Sequence, residues 1–147
     1  MLALVLADRG CSALVVCGHD GLDEISTAAP TRVWVVTGNA VTPTTIDAAE
    51  FGQPRSVPGD LRGGGVSHNA VVARRIVEGD TGPGRDAVLI NAAAAIAAYR
   101  GLDGDVRARM AAGLRGGSGH RLRRRQEDGG PVGSGRRSAE RPPISVR

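Results

Sequence analysis

The chain has 147 residues and contains no lysine, so all 19 of its basic side chains are arginine. Arginine codons are mostly CGN whereas lysine codons are AAR, and we therefore interpret this bias first as the mark of a GC-rich gene. No apolar run approaches the roughly 20 residues that a membrane-spanning helix needs. The first residues also lack the basic region and cleavage site of a signal peptide. We therefore expect a cytoplasmic protein with no membrane partner.

Cysteine is nearly absent, and the two that occur, Cys11 and Cys17, lie six residues apart across one short predicted strand. That separation corresponds to about 20 Å along a strand, too far for a disulfide, so we expect free thiols. The sequence contains no CxxC or HExxH pattern, and His19, His68 and His120 are scattered. A zinc site is therefore not expected.

The apolar patterning predicts an α/β fold for residues 1–115. A helical segment at residues 1–9 is followed by a buried parallel strand, Ser12 to Val16. Two further strands, Thr31 to Thr37 and Ala40 to Ile46, flank Gly38-Asn39 and predict a β-hairpin with a two-residue turn.

Three helices follow a polar surface segment, residues 47–65. Ser67 is predicted to cap the first, which ends at Gly79 and buries Ala70, Val71, Ala73, Ile76 and Val77. The second, Gly84 to Arg100, is apolar almost all round and is expected to be buried in the core. The third, Asp103 to Leu114, is amphipathic, with Val106, Met110 and Leu114 spaced four apart.

Three carboxylates, those of Asp20, Asp23 and Glu24, lie in the glycine-punctuated loop that follows the first strand. Ligands of open α/β sheets bind at the carboxyl ends of strands, and Mg²⁺ is held by one or two carboxylates together with waters and substrate phosphates. On the residues alone, a solvated turn with helix-capping acids is the favoured interpretation of this loop.

The string Ala13-Leu14-Val15-Val16-Cys17-Gly18-His19-Asp20-Gly21-Leu22-Asp23-Glu24-Ile25-Ser26 resembles the anthranilate phosphoribosyltransferase family (glycosyltransferase family 3), in which a similar strand leads into DGLDE. Other stretches agree with that family in the same order: Pro30 to Trp34, Asp47 to Gly52, Asp60 to Gly64, Asn69-Ala70, and Gly82 to Asn91 with the alanines that follow. The resemblance covers about residues 2–115.

The resemblance implies the C-terminal part of a nucleoside phosphorylase/phosphoribosyltransferase-like catalytic domain. Family members transfer the phosphoribosyl group of phosphoribosyl pyrophosphate (PRPP) to the amino group of anthranilate in tryptophan biosynthesis, and they form homodimers. It also implies that Asp23 and Glu24 bind Mg²⁺, which neutralises the pyrophosphate leaving group. Asp20 is expected to shape the loop.

Parts of the family pattern have no counterpart here: the phosphate-binding GTGGD loop, the KHGN segment and the helical dimerisation domain. Cys17 stands where the family usually has His. We therefore expect a truncated C-terminal fragment that is inactive alone. The alternatives are a related family-3 enzyme such as a pyrimidine nucleoside phosphorylase, or a non-catalytic relic.

The final segment, residues 116–147, differs in composition from the rest. Residues 1–115 carry a net charge of −1, whereas the final segment carries +5 with only five apolar residues. Such a segment cannot offset its ordering entropy by burial, so we expect a disordered tail. Codons can be chosen for residues 119–133 whose next frame reads AIDSGAAKRTVDRWV, similar to the family's C-terminal helix, and we expect an out-of-frame tail. A nucleic-acid-binding arm is the alternative, but the tail lacks aromatic residues for base stacking.

Overall fold

The computed structural model describes residues 1–57 and 59–118; the predicted disordered, out-of-frame tail lies outside them apart from its first three residues. The described elements follow in the order α1 (Leu2–Asp8), β1 (Ser12–Gly18), β2 (Thr31–Thr37), β3 (Ala40–Ile46), a 3₁₀ helix (Ala48–Phe51), α2 (Val66–Glu78), α3 (Pro83–Arg100) and α4 (Val106–Ser118). This mixture confirms the predicted α/β class. Helix α4 continues three residues beyond position 115, where we predicted that the domain ends.

The described strands form one sheet in the order β1-β2-β3, and both pairings are antiparallel. The hairpin predicted around Gly38-Asn39 is confirmed, with Thr37 opposite Ala40. The prediction that β1 is a buried parallel strand is wrong for this sheet, since Ser12 pairs with Thr37 in antiparallel register and most of β1 is only half-buried. A short apolar run does not encode the direction of its neighbour, which explains the error.

The main core lies between one face of the sheet and the helices α3 and α4. Val33 and Ile46 point from the sheet into this core, and Ile90 of α3 and Met110 of α4 meet them; each of the four is at most 1% exposed. The opposite face of the sheet packs on α1 through its alanines around Val36. The sheet is therefore the middle layer of three.

Helices α3 and α4 approach each other closely at Gly113. A Cβ at this position would lie 2.7 Å from the carbonyl oxygen of Ala93, so only glycine fits without moving the helices apart. From its composition we expected helix α3 to be buried on all sides, and this prediction is wrong. Val88 is 51% exposed and Tyr99 is 92% exposed, because the core covers only one face of the helix.

The N-cap of helix α2 is Gly65, and its first helical residue is Val66. The prediction that Ser67 caps this helix is therefore wrong. The side chain of Asn69 reaches back to both backbone groups of Gly64, which sets the start of the helix. Gly79 ends it in the left-handed conformation, as predicted. The predicted inner face is not buried, however, since no residue of α2 is: Ala70, Val71, Ala73, Ile76 and Val77 have no core to pack into within the described chain.

Among the helices of the described ranges, none combines the length and the apolar character that crossing a bilayer requires.

Candidate functional site

The acidic loop begins where β1 ends, at the buried Gly18. The Gly18 N–H donates to the Leu22 carbonyl at 2.8 Å, and the His19 N–H donates to the Pro30 carbonyl at 2.9 Å. A Cβ on Gly18 would overlap Oδ1 of Asp20, so the turn requires glycine here. These contacts close residues 18–30 into a compact loop between β1 and β2.

Asp20 shapes this loop, as expected. Its Oδ2 accepts a hydrogen bond of 2.5 Å from the hydroxyl of the buried Ser26, and its Oδ1 accepts one of 3.3 Å from the Leu22 N–H. The Ser26 hydrogen bond holds the pKa of Asp20 below its ordinary value. The Ser26 oxygen in turn accepts from the N–H groups of Ala28 and Ala29. Asp20 is therefore occupied within the loop.

Contacts at Ile25 and Thr27 tie the loop to elements beyond the neighbouring strands. The side chain of Asn91 in α3 pairs with both backbone groups of Ile25: its Oδ1 accepts from Ile25 N–H at 2.9 Å and its Nδ2 donates to the Ile25 carbonyl at 3.0 Å. The hydroxyls of Thr27 and Ser56 share a buried hydrogen bond of 2.8 Å. The second half of the loop is thus fixed to the core.

The predicted ligands Asp23 and Glu24 lie between these fixed points. Both are exposed, and within the part of the chain that the structure describes neither carboxylate has a hydrogen-bond or ion-pair partner. The acid pair is therefore the portion of the loop that its own framework leaves available to a ligand.

The donor set of the acid pair fits one kind of metal binding. Across residues 1–57 and 59–118, no three His, Cys, Asp or Glu side chains group closely enough to hold a metal ion together. Asp23 and Glu24 could thus supply only part of an octahedron. Mg²⁺ in phosphate-handling enzymes is bound in this manner, by one or two carboxylates, with waters and substrate phosphate oxygens supplying the remaining ligands.

Cys17, the last residue before the turn, is exposed and faces Arg32 across the sheet pairing. The guanidinium of Arg32 lies over the Trp34 ring at 5.8 Å from its centroid. Cys11 is also free, so the prediction that the two cysteines form no disulfide is confirmed.

Sequence reasoning did not identify the polar residues that hold the loop, above all the half-buried Asn91 and the buried Thr27–Ser56 pair. A signal for Asn91 was present, because it is the only polar residue in the apolar stretch from 87 to 96. A buried polar group must be hydrogen-bonded, so an isolated Asn on an apolar helix indicates a specific partner. The Thr27–Ser56 pair carried no comparable signal.

A groove of about 540 Å³ lies elsewhere, between α2 and the start of α3, where Val72, Ile76 and Val88 contribute to its apolar wall. Neither Asp23 nor Glu24 lines it, so it is separate from the acidic loop.

Comparison with known proteins agrees with this fold. The model of the glycosyl transferase family, a/b domain, matches residues 1–118, and the chain belongs to this family. Among its curated relatives are the anthranilate phosphoribosyltransferases of Salinispora arenicola, 53% identical over 114 residues, and Rhodococcus jostii, 55% identical over 104 residues. These alignments cover 78% and 71% of this chain, but only 32% and 29% of the relatives. The chain thus spans about a third of the length of the relatives it matches.

Solved structures give the same result for the fold. Anthranilate phosphoribosyltransferase from Thermus thermophilus matches with a TM-score of 0.65 and 31% identity, over 78% of this chain and 33% of that one. The enzyme from Saccharomyces cerevisiae, in complex with PRPP and Mg, shares the fold with a TM-score of 0.54 and 19% identity, over 72% of this chain and 31% of that one. Each of the relatives and structures named here is an anthranilate phosphoribosyltransferase.

Proposed function

We propose that this chain carries the magnesium-binding acidic loop of an anthranilate phosphoribosyltransferase. The observation that carries the proposal is the adjacent pair Asp23 and Glu24, exposed and without partners in the described chain, in a loop whose other carboxylate and whose hydroxyl groups are hydrogen-bonded. The family, and the relatives' activity, supply the substrates: PRPP and anthranilate. The PRPP bond from ribose C1 to pyrophosphate breaks, and a bond from C1 to the anthranilate nitrogen forms.

In this proposal Asp23 and Glu24 would supply two carboxylate ligands to Mg²⁺. When bound, the metal would neutralise negative charge that develops on the departing pyrophosphate. By holding the metal, the two side chains would orient the leaving group, since a carboxylate pair in a tied loop fixes where the metal would lie. Asp20 takes no direct part, because both of its oxygens are engaged inside the loop.

The whole reaction, with both substrates, is proposed for the protein at the length of its relatives, of which this chain spans about a third. We place the protein in the cytoplasm, and the two free thiols support this location, since disulfides are rare there.

The binding test uses Mn²⁺ as a paramagnetic substitute for Mg²⁺ in the full chain. We expect Mn²⁺ to broaden the backbone amide signals of residues 20–26 before those elsewhere, with enhanced binding in the presence of pyrophosphate. The double variant D23N/E24Q should lose this localised broadening, because it removes both ligands while keeping side-chain size.

The double variant D8N/E78Q is the matched control. Asp8 and Glu78 are exposed acids distant in sequence from the loop, and replacing them removes the same two negative charges. This variant should retain the wild-type broadening at residues 20–26. If D23N/E24Q keeps the wild-type pattern, or if both double variants lose it equally, the proposed metal site is wrong.

A further inference from the structure

We propose that Asn91 is a positioning residue for the acidic loop: it holds Ile25 against α3 and so fixes where Asp23 and Glu24 stand. The inference rests on the proposed function, which assigns those two acids to the metal. It adds a residue 66 positions away in the sequence from the backbone that it clamps.

The geometry at Asn91 is a paired contact between a side-chain amide and the backbone N–H and C=O of a single residue. Its Oδ1 accepts from Ile25 N–H at 2.9 Å, and its Nδ2 donates to the Ile25 carbonyl at 3.0 Å. The Nδ2 group also donates to the carbonyl of Ala87, one turn earlier in α3, at 3.0 Å. Both amide protons are thereby used, and the Ala87 bond keeps the side chain aimed at the loop.

Ile25 is the point where the loop changes from exposed to buried. Its side chain is 1% exposed and packs in the main core, whereas the preceding Glu24 and Asp23 are exposed. With its backbone clamped and its side chain packed, Ile25 has little freedom to shift. Glu24 is bonded directly to Ile25, and Asp23 precedes it by one residue. The fixed position of Ile25 therefore restricts where the acid pair can lie.

The hydrogen bonds within the loop have a different role. The hydrogen bonds Asp20–Ser26 and Gly18–Leu22 join residues of the loop to one another, so they preserve its shape but move with it. Asn91 belongs to α3, which packs on α4 and on the sheet. The Asn91 clamp therefore sets the position of the acids relative to the core.

Asn69 offers a matched control within the same chain. Its side chain makes the same kind of paired contact with the backbone of one residue, but at the start of α2. It accepts from Gly64 N–H at 2.8 Å and donates to the Gly64 carbonyl at 3.0 Å. A variant N69A thus removes the same kind of interaction without touching the acidic loop.

The experiment compares wild type, N91A and N69A by Mn²⁺ titration and by hydrogen exchange of the Ile25 amide, which donates to Asn91. We expect N91A to bind Mn²⁺ about tenfold more weakly, since removing a group that orients a metal ligand has effects of this order. We also expect its Ile25 amide to exchange faster, because that N–H loses its acceptor. N69A should match wild type in both measurements. The variant N91D keeps the acceptor for Ile25 N–H but loses the donor, should give intermediate values, and serves as the test if N91A does not fold.

The two measurements separate the two proposals. If Mn²⁺ binds at residues 20–26 with equal strength in wild type, N91A and N91D, the positioning role of Asn91 is overturned while the metal site stands. If Mn²⁺ binds nowhere near these residues in the wild type, but N91A accelerates exchange at the Ile25 amide, the clamp is supported and the metal assignment fails.

Discussion

The hydroxyl pair of Thr27 and Ser56 permits a quantitative test of what holds the acidic loop on the core. The two oxygens lie 2.8 Å apart, and the residues are 1% and 6% exposed. Neither hydroxyl has another side-chain partner in the described chain. The perturbation is to remove one hydroxyl at a time, as T27V and S56A, and then both together.

Each single substitution leaves the remaining hydroxyl buried without its partner. Leaving a buried polar group unsatisfied costs about 1–3 kcal/mol, so T27V and S56A should each lower the free energy of unfolding by roughly that amount. The double variant leaves no unpaired hydroxyl, and valine keeps the shape of threonine. Its loss should therefore be smaller than the sum of the two single losses by about 1 kcal/mol or more.

Urea unfolding followed by the fluorescence of Trp34, the only tryptophan of the chain, supplies the four free energies. The exposed Thr42 on β3 provides a control, T42V, which should change stability by less than about 0.5 kcal/mol. If the effects of T27V and S56A are additive to within about 0.3 kcal/mol, the two hydroxyls are not coupled and the reasoning is refuted.

Two further predictions concern the framework around the site. G113A should destabilise the protein by about 1–3 kcal/mol in thermal unfolding, because its Cβ would meet the Ala93 backbone. G116A in the same helix places its Cβ in open space and should be neutral or stabilising. Equal effects of the two substitutions would contradict the close approach of α3 and α4 at Gly113. The Arg107 side chain, 2.6 Å from Glu50, lowers the pKa of that carboxyl. The ion pair's contribution to folding stability is therefore complete above the ordinary glutamate pKa of about 4.3 and is lost as the pH falls through the lowered value. R107A should lose less stability than wild type between pH 6 and pH 3, and an unchanged pH dependence would contradict this.

The elements that sequence patterns predicted correctly are those whose signals are local. Gly38-Asn39 supplies the backbone conformation of a two-residue hairpin turn, and Gly79 supplies the left-handed conformation that ends α2. Val106 and Met110, four residues apart, face the core as their spacing required. Each of these outcomes depends on a few neighbouring residues.

The predictions that proved wrong depended on partners distant in sequence. The run of β1 is apolar whichever way its neighbour runs, and β2 proved to be antiparallel. Ala73, Ile76 and Val77 form an apolar stripe on α2, but periodicity does not state whether another element covers the stripe. Similarly, the alanines of α3 could serve a helix buried on one side or on all sides.

The candidate site, like the fold, was predictable from the sequence only where its signals are local. The position of the acids after a strand was visible in the sequence, because the loop directly follows β1. The contacts that make Asp23 and Glu24 available come from elsewhere: Asn91 lies in α3 and Ser56 beyond the hairpin. Local patterns could therefore locate the acid pair but not the framework that presents it.

The central claim is that this chain supplies a working acidic loop to an anthranilate phosphoribosyltransferase, and a chimera tests it most directly. The matched segment of the Salinispora arenicola enzyme is replaced by residues 2–115 of this chain, and consumption of anthranilate is measured with PRPP and Mg²⁺. We predict that the chimera turns over and that D23N/E24Q within it lowers the rate at least about 100-fold, since metal stabilisation of a leaving group is worth several kcal/mol. If the D23N/E24Q chimera keeps the full rate of the unsubstituted chimera, the account is contradicted.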